Sequence, residues 1–227
     1  MMILVQIGSG SSNLDTFFED GFTNFIKKKK IKGKIFIIEA NSIHLKNLKK
    51  CWNKNNVEIF NLAIIPDNIK KNIMTFYYSE KDKPNYQVFS SSIKFVKKHY
   101  PRGEIKSKIV KCMNISNFFK KNKLNNIDFL SLDIEGMDFD VIYNLDLKKY
   151  NIRNISFEHL NLSGWQKLKI VIKLIKNNYF FSGMGFDIRK SDWMFSKNFK
   201  KNIIMTILLP ITPRRIWKHY LFSENIS

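Results

Sequence analysis

The strongest chemical signal in the sequence is the run FLSLDIEGMDFDVI, which covers residues 129–142. Its apolar part predicts a buried strand that delivers Asp133 and Glu135 at its carboxyl end, where alternate side chains point to the same side. Two carboxylates in a cleft are costly unless they are hydrated, paired or bound to a cation. The run therefore favours a cationic ligand, either a sulfonium compound or a metal ion. The alternative for Glu135 is to cap the helix that begins near Asp138.

A second candidate site is the turn VQIGSGSSN at residues 5–13. Gly8 and Gly10 let the backbone turn sharply and approach a ligand, and the helix expected after them would offer unpaired N–H groups. Glu39 ends the following strand, where a carboxylate can accept hydrogen bonds from both ribose hydroxyls of a nucleoside. The dinucleotide spacing lacks its third glycine, so a pyrophosphate cofactor is not favoured. A plain turn and a helix-capping Glu39 are the alternatives without a ligand.

The run ISFEHL at residues 155–160 places Glu158 and His159 at the end of a neighbouring strand. A histidine with an ordinary pKa of about 6.5 could take the proton from an attacking hydroxyl group. The alternative is a histidine that lies on the surface or is hydrogen-bonded in the core. His159 is therefore a candidate general base.

Strands and helices must alternate to bring these three sites to one edge of a sheet. Short apolar, β-rich runs do alternate with lysine-rich helical stretches, which predicts a parallel sheet covered by helices. The predicted strands cover residues 3–7, 34–39, 57–65, 73–79, 105–113, 127–134, 152–158, 179–182 and 193–196. The predicted helices cover residues 14–30, 43–54, 93–100, 116–124, 139–145 and 165–176, with Asn13 or Asp15, Asn41 or Ser42, and Ser116 as caps of the first, second and fourth.

Length and composition indicate one folded domain. A single α/β core of 227 residues buries most of its apolar surface, and we predict one domain over residues 1–200 and a C-terminal segment over residues 201–227. Cys51 and Cys112 are too few for a disulfide framework, which indicates a reducing compartment. No secretory pattern is recognised, so we expect a cytoplasmic protein.

The net charge of +20 would attract phosphate-rich partners or anionic lipids. The lysines, however, are spread through every segment and are not gathered into one block. Solvated lysine faces are therefore favoured over a dedicated nucleic-acid surface. The polar residues 81–92 are predicted to form a mobile loop, which is either a lid with Tyr86 and Phe89 over a substrate or an exposed crossover.

The C-terminal segment contains an apolar run at residues 203–211, which is followed by Pro213, Arg214, Arg215, Trp217, Lys218 and His219. A membrane-spanning helix needs about 20 apolar residues, so this run is too short to be one. Two interpretations stay open. The run packs on the core, or it anchors the protein to the inner face of a membrane.

Together, five runs resemble the motif series of the FkbM-type methyltransferases. They are QIGSG (6–10), FIIEAN (36–41), NLAI (61–64), IDFLSLDIEGMDFDVI (127–142) and ISFEHL (155–160), and the Asp-x-Glu-Gly signature at Asp133 is the most specific part. The resemblance implies a class I methyltransferase fold, a Rossmann-like three-layer α/β sandwich whose mostly parallel sheet has an antiparallel closing strand. It also implies an S-adenosylmethionine-dependent enzyme, since that family usually methylates hydroxyl oxygens, often on sugars. A small-molecule or glycan acceptor is therefore expected.

The resemblance also assigns roles to individual residues. By it Gly8, Ser9 and Gly10 line the methionine portion, Glu39 holds the ribose, Asn61, Leu62 and Ala63 neighbour the adenine, and Asp133 lies near the transferring methyl group. We predict Asp133 as the residue that positions cofactor or acceptor, and Glu135 or His159 as the base. The oxygens of Asp133 and Glu135 also suit Mg²⁺, which stays an alternative and is not predicted.

Two other functions stay open. A nucleic-acid methyltransferase would need lysines beside the cofactor cleft and salt-dependent RNA binding, and the strand of Asp133 does not end in an aromatic-proline target-base motif. A non-catalytic, membrane-surface partner of glycan enzymes would bind liposomes through the C-terminal segment and would have no cofactor affinity.

Overall fold

The computed structural model describes residues 1–12, 20–53, 56–83, 86–185, 192–197, 199–213, 216 and 220. The strands of this part of the chain are β1 (Met2–Ile7), β2 (Gly33–Glu39), β3 (Val57–Asn61), β4 (Ala63–Ile65), β5 (Ile73–Ser79), β6 (Ile105–Asn114), β7 (Asn126–Leu132), β8 (Asn151–Glu158), β9 (Tyr179–Met184) and β10 (Asp192–Lys197). The helices are α1 (Gly21–Lys28), α2 (Leu45–Cys51), α3 (Ile93–His99), α4 (Ile115–Lys121), α5 (Asp138–Asn144), α6 (Gly164–Lys176) and α7 (Ile203–Leu208).

Seven strands form the central sheet, in the order β3-β2-β1-β7-β8-β10-β9. Neighbouring strands are parallel from β3 to β8, and β10 runs antiparallel to both of its neighbours. The predicted fold class, a mostly parallel Rossmann-like sheet with an antiparallel strand near its edge, is confirmed. The strand order reverses between β1 and β7, and ligands of such sheets bind at the carboxyl ends of the strands beside this switch point.

Alternation along the strands separates two apolar layers. Val5 and Ile7 of β1 face the layer that contains the buried residues of α4, α5 and α6, whereas Leu4 faces the layer formed with α1 and α2. Both faces of the sheet are therefore covered by helices, which explains why its strands read as near-continuous apolar runs.

The prediction of one strand over residues 57–65 is wrong. The last residue of β3 that pairs with β2 is Asn61, which lies opposite Glu39. The chain then leaves the central sheet and enters a second sheet with the order β4-β6-β5. The Asn61 side chain donates hydrogen bonds to the carbonyl oxygens of Glu39 (2.9 Å) and Ala40 (3.1 Å). These bonds end the strand although the apolar run continues, and the second sheet then packs near the carboxyl edge of the first, against Ala40 and Met137.

Two predicted helix starts need correction. Ser116 is not the cap of α4, because that helix begins at Ile115 and the side chain of Asp67 accepts hydrogen bonds from both the backbone N–H (3.0 Å) and the hydroxyl (2.6 Å) of Ser116. Asp20 caps α1 and accepts from the backbone N–H of Thr23 at 3.0 Å. The predicted caps at residues 13 and 15 lie outside the described residues.

The predicted cap Asn41 is confirmed. Its side chain accepts from the backbone N–H of Ile43, at the start of a short 3-10 turn (Ser42–His44) that leads into α2.

The C-terminal segment covers the free edge of β9. Asn202 donates to the carbonyl oxygen of Phe181 (2.7 Å), and the Phe181 N–H donates to the hydroxyl of Thr206 (2.8 Å). The N–H of Met184 donates to the carbonyl oxygen of Tyr220 at 2.7 Å. An uncovered strand edge would leave these groups open to pairing with another chain, so this part of the segment packs on the core.

Of the basic and aromatic residues predicted as a membrane anchor, Arg214, Arg215, Trp217, Lys218 and His219 lie outside the described residues. Within the described part, none of the helices has the length and apolar character needed to cross a membrane. The division of the chain at residue 200 stays a prediction.

Candidate functional site

A cleft of about 760 Å³ opens at the carboxyl edge of the central sheet, within the range of about 300–1,000 Å³ typical of small-molecule sites. It lies beside the switch point between β1 and β7. Eight of the predicted site residues line it, namely Gly8, Ser9, Gly10, Glu39, Leu62, Ala63, Asp133 and Glu135. The four separate runs of the sequence that carry these residues therefore meet in one cavity.

Gly8 lets β1 turn across the end of β7. Its φ is +79°, and a Cβ atom at this position would lie 1.7 Å from the carbonyl oxygen of Asp133. On either side of this contact, the N–H of Gly8 donates to the carbonyl oxygen of Ile38 (2.9 Å) and the N–H of Asp133 donates to that of Ile7 (2.9 Å). Only glycine fits here, so the turn and the loop after β7 are held together at the backbone.

Glu39 is buried and fixes the second half of this turn. Its carboxylate accepts hydrogen bonds from the backbone N–H of Gly10 (2.8 Å) and of Asn41 (2.6 Å). Burial raises the pKa of the Glu39 carboxyl group above its ordinary value, although His44 and the backbone N–H groups lower it in part. A carboxylate has about four lone-pair sites, so Glu39 keeps acceptor capacity for a ligand in the cleft.

Asp133 and Glu135 reach the cleft by a route that differs from the predicted one. β7 ends at Leu132, and Glu135 has a φ of +46°, so both carboxylates lie in the loop and not on a strand. The carbonyl oxygen of Glu135 accepts a hydrogen bond from the Ser90 hydroxyl at 2.8 Å. Ser90 also pairs with Tyr77 of β5 through two backbone hydrogen bonds, which anchors the predicted mobile loop 81–92 beside the cleft.

His159 does not line the cleft, and the geometry does not support its predicted role as the base. The residue is buried, and its ring stacks on that of Trp193 with centroids 4.5 Å apart. Side chains alternate along a strand, so Glu158, one residue earlier, faces the cleft instead.

Asn61, predicted beside the adenine, is also absent from the lining. It acts on the site indirectly, because its amide holds the backbone carbonyls of Glu39 and Ala40.

Glu158 and Asp192 line the cleft but were not among the predicted site residues, although Glu158 was placed at a strand end. They are directly opposed on the antiparallel strands β8 and β10, and both line the cleft. Although Asp133 is open to the cleft, desolvation by the surrounding protein, followed by repulsion from Glu135, Asp192 and Glu158, raises its pKa well above the usual range. Glu158 could have been found from its position at a strand end. Asp192 has no local signal, because only the pairing of β10 with β8 brings it here.

The charge of the cleft is opposite to that of the chain. The described lining residues include no lysine or arginine but six carboxylates, Asp20, Glu39, Asp133, Glu135, Glu158 and Asp192, in a protein with a net charge of +20. Among the described residues, no group of three histidine, cysteine or acidic side chains is arranged to hold a metal ion. The acidity therefore suits an organic cation or hydrogen-bond donors distributed along a ligand.

Two buried polar atoms of the lining fit such a ligand. The side-chain oxygens of Gln6 and Ser9 have no hydrogen-bond partner among the described residues, and both residues line the cleft. A buried polar atom without a partner costs about 1–3 kcal/mol. A bound molecule with N–H or O–H groups would remove this cost.

Comparison with known protein families identifies the family to which the chain belongs. The model of the methyltransferase FkbM domain matches residues 6–198, which is most of the chain. The chain belongs to the FkbM methyltransferase family. Comparisons with curated proteins and with solved structures gave no match. The protein is therefore a methyltransferase, and in this FkbM domain the cleft holds the sequence signature by which the family was recognised.

The two glycines of the FkbM turn should respond differently to alanine. Gly8→Ala forces a Cβ atom into the Asp133 carbonyl, so we expect it to lower the free energy of unfolding by at least about 3 kcal/mol. Gly10 has a φ of +52°, and no atom of the described residues lies within 4 Å of an added Cβ, so Gly10→Ala should cost only about 1–2 kcal/mol. Urea denaturation of both variants measures the difference, and equal losses would contradict the close contact.

Asp138 should make the stability of the FkbM domain depend on pH. Burial, followed by repulsion from Glu158, raises the pKa of Asp138 to about 7, whereas in the unfolded chain it is about 3.9. The folded state thus binds more protons between these two values, and the free energy of unfolding falls as the pH rises through that window. The native protein should therefore lose on the order of 4 kcal/mol of unfolding free energy through Asp138 between about pH 4 and pH 8, and Asp138→Asn should abolish this part of the pH dependence.

The measurement is urea denaturation across this pH range. Asp146→Asn is the matched control, because Asp146 is exposed and accepts hydrogen bonds from the N–H groups of Lys148 (3.0 Å) and Lys149 (3.2 Å), which Asn can also do. If Asp138→Asn kept the full pH dependence of the native protein, the assignment to Asp138 would be wrong.

Proposed function

We propose that this protein uses S-adenosylmethionine to methylate a hydroxyl oxygen of an uncharged sugar. The observation that carries the proposal is the composition of the cleft, with six carboxylates and no described lysine or arginine, at the switch point of an FkbM methyltransferase domain. A cation is favoured there, and an anion is repelled.

The residues of the cleft match the parts of the proposed cofactor. Glu39 would accept from the ribose hydroxyls, and Leu62 and Ala63 would contact the adenine. The free oxygens of Gln6 and Ser9 would accept hydrogen bonds from the ammonium group of the methionine portion. When bound, this cofactor supplies an electrophilic methyl group on a positively charged sulfur, next to which Asp133 and Glu135 provide negative charge.

The chain's own task in methyl transfer is to align the acceptor oxygen and to remove its proton. We assign the proton to the carboxylate cluster of Asp133, Glu135, Glu158 and Asp192. Desolvation, followed by repulsion from the neighbouring carboxylates, raises the pKa of Asp133, which makes its carboxylate a stronger base near neutral pH. This replaces the predicted base His159, which is buried and does not line the cleft.

An uncharged sugar fits the remaining lining. Tyr86, His99 and Tyr100 line the cleft on the side of the second sheet, and aromatic rings present apolar faces with a polar tip to a ligand. An RNA substrate would require cations around the cleft, where the described lining residues supply carboxylates. The uncharged acceptor is therefore preferred over nucleic acid.

Calorimetric titration should separate the cofactor roles of Glu39 and Asp133. S-Adenosylhomocysteine has the ribose but lacks the positive charge on sulfur. Asp133→Asn should therefore weaken S-adenosylmethionine binding about tenfold more than S-adenosylhomocysteine binding. Glu39→Gln should weaken both ligands alike, by about tenfold or more.

Glu58→Gln is the matched control for these titrations. Glu58 lies on β3, pairs with Lys34 at 2.6 Å and is half-exposed, so its variant should bind both ligands like the native protein. Absence of binding in the folded native protein would refute the proposed cofactor, and unchanged affinity in both cleft variants would refute the proposed site.

Acceptor charge can be tested with the native enzyme and labelled cofactor. We expect transfer to neutral sugars but at least about a hundredfold less to the corresponding sugar phosphates and to RNA, because the carboxylates of the cleft repel phosphate. A preference for the phosphorylated compounds would contradict this assignment of the acceptor and leave the cofactor site intact.

A further inference from the structure

Large apolar side chains are exposed on one side of the domain. The α6–α7 face consists of Trp165, Leu168 and Ile172 of α6, and Ile203, Ile204, Ile207, Leu208 and Ile211 of α7 and the turn after it. α6 and α7 both pack on β9 and contact each other. The helices therefore lie side by side on the same strand, and each carries exposed apolar side chains.

On α6 the exposed residues follow the helical period. Leu168 follows Trp165 by three residues, and Ile172 follows Leu168 by four. Such spacing places them on one stripe. The buried residues Ile170 and Leu174 lie on the opposite side of the helix. α6 is thus apolar on two sides, one that packs on the sheet and one that faces outward.

On α7 the outward side is even more apolar. Ile204 is 70% exposed and Ile211 is 77% exposed, whereas Thr206 and Leu209 are buried against the core. Since packing on β9 uses Thr206 and Leu209, the isoleucines do not contribute to covering the sheet edge. A contiguous exposed apolar patch on a folded domain indicates an interaction surface.

Lysines border the α6–α7 face. Lys167 is turned toward the Trp193 ring and Lys173 toward the carbonyl oxygen of Leu145, so these two are used within the domain. Lys169, which lies 5.2 Å from the Trp165 ring, and Lys176 remain on the outward side of α6. Lysine and tryptophan beside apolar side chains are the combination found where proteins lie in the head-group region of a bilayer.

We propose that the α6–α7 face binds the surface of an anionic lipid bilayer. The isoleucines and Trp165 would enter the boundary between head groups and acyl chains. Lys169, Lys176 and Lys201, an exposed lysine just before α7, would contact anionic head groups. Leu160, which lines the cleft, precedes α6 by four residues.

Charge argues against the other occupants. A symmetric contact between two copies would bring the same lysines of both chains together, and α6 carries no acidic residue to compensate. Nucleic acid would match the lysines but would leave the isoleucines exposed to water. An anionic bilayer would both pair with the lysines and remove the isoleucines from water.

Sedimentation with lipid vesicles tests the proposal on the full chain. The native protein should sediment with vesicles of phosphatidylcholine and phosphatidylglycerol in equal parts, and at least about tenfold less with phosphatidylcholine alone. The triple variant Ile204→Ser, Ile207→Ser, Ile211→Ser should lose at least about tenfold in vesicle affinity.

The second sheet offers a matched control. Ile73 and Ile109 are 58% and 70% exposed there, so the variant Ile73→Ser, Ile109→Ser removes exposed apolar side chains of similar accessibility from another surface and should bind vesicles like the native protein. Lys169→Glu should weaken binding, and Lys111→Glu, an exposed lysine of β6, should have a smaller effect.

The proposal is overturned if the native protein stays in the supernatant with anionic vesicles, or if the folded triple variant sediments as the native protein does. Velocity sedimentation identifies the main competitor. A native dimer that the triple variant converts to a monomer, without vesicle binding, would show that the face binds a second copy. Cofactor titration of the triple variant is independent of these outcomes, because the face does not contribute to the cleft.

Discussion

The candidate site depends on the close approach of two backbones, at Gly8 and at Asp133. The β1 turn crosses the end of β7 where any side chain at Gly8 would overlap the Asp133 carbonyl. This contact fixes the loop that carries Asp133 and Glu135 relative to the turn that carries Ser9 and Gly10. The hydrogen bond from Gly10 to Glu39 then extends the same arrangement to β2. Three strand ends are thus joined before any ligand enters.

The opposition of charge between chain and cleft follows from where lysines can be placed. Lysine side chains are long and strongly hydrated, so they occupy the outward positions of helices and of β6 at little cost. Carboxylates collect at the sheet edge instead, where burial, followed by mutual repulsion, raises the pKa values of Asp133 and Asp138 and costs stability. The domain therefore keeps a locally unfavourable cluster at the position where chemistry is expected, a common property of functional sites.

The sequence was informative wherever the signal was local. The strands β1, β2 and β7, the glycine turn and the positions of Glu39 and Asp133 could all be predicted, because apolar runs and strand-end residues report their own surroundings. The hydrogen bonds from Ser116 of α4 to Asp67 and the cleft position of Asp192 could not be predicted, because each depends on a partner far away in the chain. His159 was misplaced for a different reason. A strand end marks two adjacent residues, and only the register of the sheet decides which of them faces the cleft.

The C-terminal segment has a consequence for how the protein can be shortened. Asn202, Thr206 and Tyr220 occupy the free backbone groups of β9, so a chain cut near residue 200 would present an unpaired strand to its neighbours. Such edges template intermolecular sheets, and the truncated protein would be prone to aggregate during expression. Loss of solubility on truncation would therefore report an open sheet edge, and substitutions that leave Thr206 in place are the cleaner way to study the isoleucines beside it.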